Sequence, residues 1–275
     1  MTRLLLSHGK TELVLSADAR TVVKFFHPTV SRERVEREVA QTRKAKDYGI
    51  RVPDIYDVIQ HGDRFGVVME YIQGPTMTDI LSKAPYRIHA YARQLARIQA
   101  EINAVDASGF TEQSSLMRTA ILQTKARLGE EGSAHIVRLF DQLPQASRLC
   151  HNDLHQENLI FTRTGPVVLD WAEATVGHPI ADVVHTLLIQ KHPVQAPVLQ
   201  NSSLYHRLHN AYRRYFARIF LNEYLRLSGL DREAIDPWLL PVAATRLFTK
   251  IEPEEKDWTE HYIRGKLLTN YSYKR

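Results

Sequence analysis

Two periodicities divide the chain. Up to about residue 73 the apolar positions alternate or run in short blocks: ELVL, TVVKFF and the stretches 54–60 and 65–71. These predict strands, with turn signals around Ser7–Gly9 and Ala17–Arg20. A helical pattern over 31–48 interrupts them, opened by Ser31 as N-cap and closed before Gly49. From Gly74 onward the spacing lengthens to three and four, in MTDILSK and RIHAYARQLARIQAEINAV. The same spacing continues near 115–128, 134–142, 180–191, 203–228, 236–249 and 257–268. The pattern predicts an α+β protein with an antiparallel-sheet N-terminal lobe carrying one helix (1–73) and a larger, mostly helical C-terminal lobe (74–275).

One β island interrupts the helical half. RLC leads into HNDLHQENLI at 151–160, and NLIF and PVVLDW flank the turn TRTG as a hairpin. Asp153 and Asn158 therefore sit on a loop entering a strand, and Asp170 at the far end of its partner.

With 275 residues, 44% apolar and 24% charged, the composition is that of a globular chain. No apolar run nears the ~18 residues of a membrane helix. The opening MTRLLLSHGK lacks the roughly 7 to 15 apolar residues of a secretory signal. The expectation is a cytoplasmic protein without a membrane partner. The single cysteine, Cys150, reads as core packing. A net charge of +5 invites nucleic acid as a partner, but the bases are interleaved with acids, as in SRERVEREVAQTRKAKDYG, so they read as solvated helix faces.

Phosphoryl transfer needs an acceptor for a hydroxyl proton, oxygen ligands for magnesium and a cation for the nucleotide phosphates. Asp153 and Asn158 have the H-x-D-x-x-x-x-N spacing of a kinase catalytic loop, with His151 ahead of them. Asp170 closes an apolar strand as a second metal carboxylate. Lys24 in VVKFF supplies the cation and needs a carboxylate partner, for which Glu33, Glu36 and Glu38 are candidates. Glu38 is favoured because it neighbours the side marked by Val35, Val39 and Thr42.

These motifs resemble the aminoglycoside phosphotransferase and choline kinase family, kinase-like enzymes that phosphorylate hydroxyls of small molecules. HNDLHQEN is similar to the family's H-G-D-x-H-x-x-N, and LDWAEATVGHPIAD to its metal segment. The resemblance implies Asp153 as base, Asn158 and Asp170 as magnesium ligands, and Asp182 and His151 as braces of the loop. It implies Lys24, Glu38 and the backbone of Glu70, Tyr71 and Ile72 as the nucleotide site, with ATP or GTP as co-substrate. His155, in place of the protein-kinase lysine, implies a small-molecule acceptor. His155, Trp171, Glu173, Glu255 and Trp258 are its candidate contacts, the last two within an acidic run at 252–260 that reads either as a solvated helix start or as a patch for an amine-bearing sugar, and the acceptor classes in play are an aminoglycoside, another antibiotic, a sugar or an amino alcohol. Asn152 replaces the family's glycine, Gln156 its common proline, and SHGKTELV carries one glycine over the phosphates. Two other readings stand beside this one: a zinc or iron hydrolase or oxygenase using His151, Asp153 and His155, and a catalytically weak pseudokinase that binds partners.

Overall fold

The computed structural model describes residues 6–8, 11–15, 20–191, 203–248 and 253–272. Gly9, the turn at 17–19 and Glu252 lie outside the described residues. The chain forms two compact units, residues 1–85 with 155–174, and residues 86–154 with 175–275.

In the first unit β1 (Leu6–His8), β2 (Thr11–Leu15), β3 (Thr21–Phe26), β4 (Ile55–His61) and β5 (Arg64–Glu70) form an antiparallel sheet in the order β1-β2-β3-β5-β4. The two-residue period of β3 puts Val22, Lys24 and Phe26 on one face. Helix α1 (Arg32–Asp47) buries Val35, Val39, Thr42 and Ala45 at helical spacing, and Phe26, Val35, Val39 and Val67 make the core of this unit. Burying those four side chains contributes about 1.5–3 kcal/mol each, and this is what docks α1 on the sheet. Glu38 rides on the same stripe. Gly49, at φ 82, ends the helix in a conformation that favours glycine.

After β5 the chain lies against the hairpin Leu159–Thr162/Gly165–Val168. Phe161 N–H donates to Pro75 O at 2.9 Å, and a Cβ on Gly74 would fall 2.2 Å from Phe161 O, so only glycine fits there. α2 (Met77–Lys83) then opens with a capping box between Thr76 and Asp79. The pattern places the change of lobe at Gly74. The compact units divide after Pro85, because this strap and α2 are fastened to the hairpin.

The second unit is helical: α3 (Ile88–Ala104), α4 (Gln113–Gln123), α5 (Lys125–Phe140), α6 (Pro179–Lys191), α7 (Ser203–Ser228), α8 (Asp236–Arg246) and α9 (Pro253–Ser272). The strands Thr111–Glu112, Arg148–Cys150 and Thr175–Gly177 form a small sheet beside them. α3 buries Leu95, Ala96, Gln99, Ile102 and Asn103, and α7 buries Phe216, Phe220 and Tyr224 at intervals of four. The helices expected at 115–128 and 134–142 are instead α4 and α5. Thr124 turns its hydroxyl onto Ile121 O at 2.7 Å between them, and Gly129 at φ 77 interrupts α5. Among the described residues no helix is long and apolar enough to cross a membrane.

Candidate active site

Within the first unit Lys24 Nζ lies 2.7 Å from Glu38 Oε1 and 3.5 Å from Asp170 Oδ2. The lysine and the glutamate are each 13% exposed and Asp170 39%. Burial works to lower the lysine, but the Asp170 and Glu38 carboxylates outweigh it and hold the ammonium above the usual lysine range. Burial also pushes the Glu38 carboxyl upward, yet a 2.7 Å contact with so firmly protonated a lysine keeps the pair charged. Glu36 is engaged by Arg32 one turn away at 2.7 Å, and Glu33 lies in the first turn of α1. Two further bonds tie α1 to the segment after Asp170. Gln41 Nε2 donates to Ala174 O at 2.9 Å, and Arg34 meets Glu173 at 3.2 Å.

The hairpin brings Asn158 and Asp170 together. Its register pairs Leu159 with Val168, and Leu169 N–H donates to Asn158 O at 2.9 Å, so both residues stand at the same end. The Asn158 amide nitrogen is 3.2 Å from His155 Nε2, which orients the side chain. Asp170 itself sits at φ 58, a left-handed conformation uncommon outside glycine and held here by its surroundings. An amide and a half-exposed carboxylate are hard oxygen donors of the type magnesium takes.

The loop residues His151 to Leu154 belong to the second unit, where α6 holds them. Asp182, fully buried, accepts the Asn152 N–H at 2.6 Å and the His151 N–H at 3.1 Å. Asn103 of α3 donates to the same carboxylate at 2.8 Å and to Leu149 O at 2.9 Å, and takes the Tyr224 hydroxyl at 3.0 Å. Burial, reinforced by Asp182, drives the Tyr224 phenol well above its ordinary range. Thr186 donates to Leu154 O at 3.1 Å and so fixes the other end of the loop. Asn152 lies at φ 63, where the family's glycine would have been at ease. Its amide donates to Thr175 Oγ1 at 2.8 Å and its oxygen accepts from Gln113 Nε2 at 3.0 Å, two bonds glycine cannot make.

His151 is fully buried and its Nδ1 accepts the Asp153 N–H at 3.3 Å. Among the described residues no three His, Cys, Asp or Glu side chains gather as a metal cluster, so the zinc or iron reading has no geometric support. His185 on α6 feels the charge of Asp153, but burial and Arg246 lower it to about 3 and keep it neutral. Cys150 is buried and its thiol is pushed up by burial, as core packing requires.

The remaining candidates are scattered. Glu70 and Tyr71 donate their N–H groups to Asp54 and Arg20 at 2.8 and 2.9 Å, and the Ile72 amide is in neither bond. Trp171 is fully buried in the first unit and donates its indole N–H to Val168 O at 3.3 Å. Glu173 pairs with Arg34, and Glu255 with the buried Arg246, whose Nε is 3.1 Å away. Trp258 stacks on Tyr262 with ring centres 5.6 Å apart. Asn103, Gln113 and Thr186 escape sequence reasoning. The one signal for Asn103 is an amide on the apolar stripe of α3.

An antiparallel-sheet unit with one helix and a larger, mostly helical unit are the two parts of a kinase-like fold. The family model described as a phosphotransferase enzyme family (APH) matches residues 8–230, and the chain belongs to that family. Its fold is similar to that of a thermostable mutant of aminoglycoside phosphotransferase APH(4)-Ia, with TM-score 0.68, 15% identity, and 98% of this chain and 95% of that one covered. It is also similar to the amicoumacin kinase hAmiN, solved in complex with AMP-PNP, Ca2+ and Ami, at TM-score 0.58 and 15% identity over 96% of this chain and 88% of that one. Over 192 residues the chain is 28% identical to acyl-CoA dehydrogenase family member 10 of Mus musculus; the match takes in 62% of this chain, which spans only 18% of that relative.

Proposed function

We propose that this protein transfers the γ-phosphoryl group of ATP or GTP to a hydroxyl of a small molecule. The observation that carries this reading is the Lys24 ammonium between Glu38 and Asp170, at 2.7 and 3.5 Å. It puts a phosphate-binding cation and a metal-type carboxylate side by side, and α1 holds them so. Lys24 pairs with the nucleotide phosphates while Glu38 keeps it oriented. In the segment Glu70–Ile72 the Glu70 and Tyr71 N–H groups are taken by Asp54 and Arg20, so the Ile72 amide is the donor offered to the base. Asn158 and Asp170 would hold magnesium, which when bound neutralises charge on the phosphates.

Asp153 accepts the proton of the acceptor hydroxyl as that oxygen bonds to the γ-phosphorus and the bond to the nucleoside diphosphate breaks. Asp182 and His151 keep the loop in place. The reading is supported by the family membership and by a nucleotide analogue in a structural relative. The test is a thermal shift with magnesium-ATP, where ligand at 100 times its dissociation constant adds about 2.7 kcal/mol, followed by ADP release across a panel of small alcohols. Absence of nucleotide stabilisation rejects the proposal. Binding without turnover of any alcohol favours the pseudokinase reading.

A further inference from the structure

The second unit holds a cavity of about 480 Å³ formed by α6, α7, α9 and the turn at Arg232. Leu187 and Trp258 supply apolar wall, and Lys191, Arg214, Arg218 and Arg232 supply charge. Arg214 and Arg218 are one turn apart on α7, where like charges repel. Among the described residues none of the four has a carboxylate within 4 Å. Arg232 donates to the Asn222 side-chain oxygen and Arg218 lies over the Tyr215 ring, contacts that leave both charges uncompensated.

Other arginines of this unit are paired: Arg118 with Asp141, Arg127 with Glu260, Arg226 with Glu223 and Arg246 with Glu255. Those pairs also take up Glu255 and Glu260 of the acidic run. Burial, then Lys266 and Arg232, lower the Lys191 ammonium, against the pull of Asp236. Lys191, Arg214, Arg218 and Arg232 are solvent-exposed, and four like charges beside an apolar wall make a site that gains from an anion.

The cavity lies on the helix that braces the catalytic loop. Leu187 follows Thr186, the residue bonded to Leu154 O at 3.1 Å. We propose that this pocket binds the carboxylate or phosphate of an anionic hydroxy compound, so that the acceptor class is acidic rather than an amine-bearing sugar. The inference rests on the phosphotransferase reading given above. Trp258 and Leu187 cover the apolar part of the acceptor, and the four cations hold its charge.

The test is calorimetry on the full chain with the nucleotide site filled by magnesium and a non-hydrolysable ATP analogue. Glucose 6-phosphate, gluconate, glucose and kanamycin serve as anionic, neutral and cationic probes. The expected result is that the anions bind about tenfold or more tightly than glucose and kanamycin, weakening as salt rises from about 0.05 M to about 0.5 M. The Arg214→Ala/Arg218→Ala variant loses that preference while its analogue affinity is unchanged, and Arg214→Lys/Arg218→Lys retains it. Equal binding of all probes, tighter binding of kanamycin, no binding of either anion, or a double-alanine variant that still prefers anions overturns the inference. Failure of the analogue itself to bind falls on the phosphotransferase reading, and anion binding without it overturns the acceptor role.

Discussion

Asp182 accepts the backbone N–H of Asn152 at 2.6 Å, so a carboxylate on α6 holds a loop residue that stands at φ 63. A left-handed asparagine would relax without such an anchor. The carboxylate collects His151 and Asn103 as well, which makes it the common acceptor of the loop.

Asp182→Ala therefore leaves three donors unsatisfied in a buried place. Each charge-assisted bond contributes about 1.5–3 kcal/mol and the three are not additive, so urea unfolding should show a loss of about 3–5 kcal/mol. Turnover should fall together with stability. A loss under about 1 kcal/mol would mean that the loop is held by something else.

Asn152 offers a graded test of backbone against side chain. Asn152→Gly keeps the φ and loses the bonds to Thr175 and Gln113, a cost of about 1 kcal/mol. Asn152→Val adds about 1–2 kcal/mol of left-handed strain in a β-branched residue. Denaturation midpoints should rank Asn above Gly above Val; a valine variant as stable as glycine would contradict the φ argument.

The two carboxylates should separate kinetically. Asp153→Asn should lower kcat by about 10² to 10⁴-fold while calorimetric affinity for magnesium-ATP stays the same. Asp170→Asn should instead abolish the difference in nucleotide affinity between magnesium and EDTA. Matching profiles for the two variants would refute the division of roles.

Lys24→Met strands Glu38, whose environment is 13% exposed, without its counter-charge. Breaking such a pair costs about 3 kcal/mol or more. Lys24→Met/Glu38→Gln should recover part of the stability but none of the nucleotide affinity, as read by unfolding and titration side by side. Recovery of both would show that the lysine does not meet the phosphates.

His185 predicts a pH dependence. Its folded-state value of about 3 lies below the ordinary 6.5, so it is neutral when folded and takes up a proton on unfolding as pH falls. Its contribution is complete above about pH 6.5 and is lost as pH drops towards 3, with a slope of up to about 1.4 kcal/mol per pH unit. His185→Gln should flatten the fall in stability between about pH 6 and pH 4. An unchanged slope would place the buried proton uptake elsewhere.

Much of this could be read along the chain because the signals are local. The alternation in TVVKFF and the stripe of Val35, Val39 and Thr42 specify a strand and a helix within a few residues, and H-x-D-x-x-x-x-N is a spacing. The break at Gly129 and the ends of α4 and α5 were less legible, since Thr124 stops a helix only through a bond to Ile121 that period alone does not reveal. The surroundings of the acceptor candidates were hidden for a related reason. Trp171 and Glu255 look like ligand residues on a line of text, but one is packed inside its unit and the other is bound to Arg246.

The sequence by itself determined the α+β class, the order of the elements and the motif that marks the family, since periodicity and spacing act over short stretches. Only the tertiary structure decided that Glu38 rather than Glu33 or Glu36 meets Lys24, that Asn103 and Tyr224 stand behind Asp182, and that four cations line one cavity with no carboxylate within 4 Å among the described residues. Those relations join residues from separate elements, and packing, which buries some charges and brings others together, is what sets them.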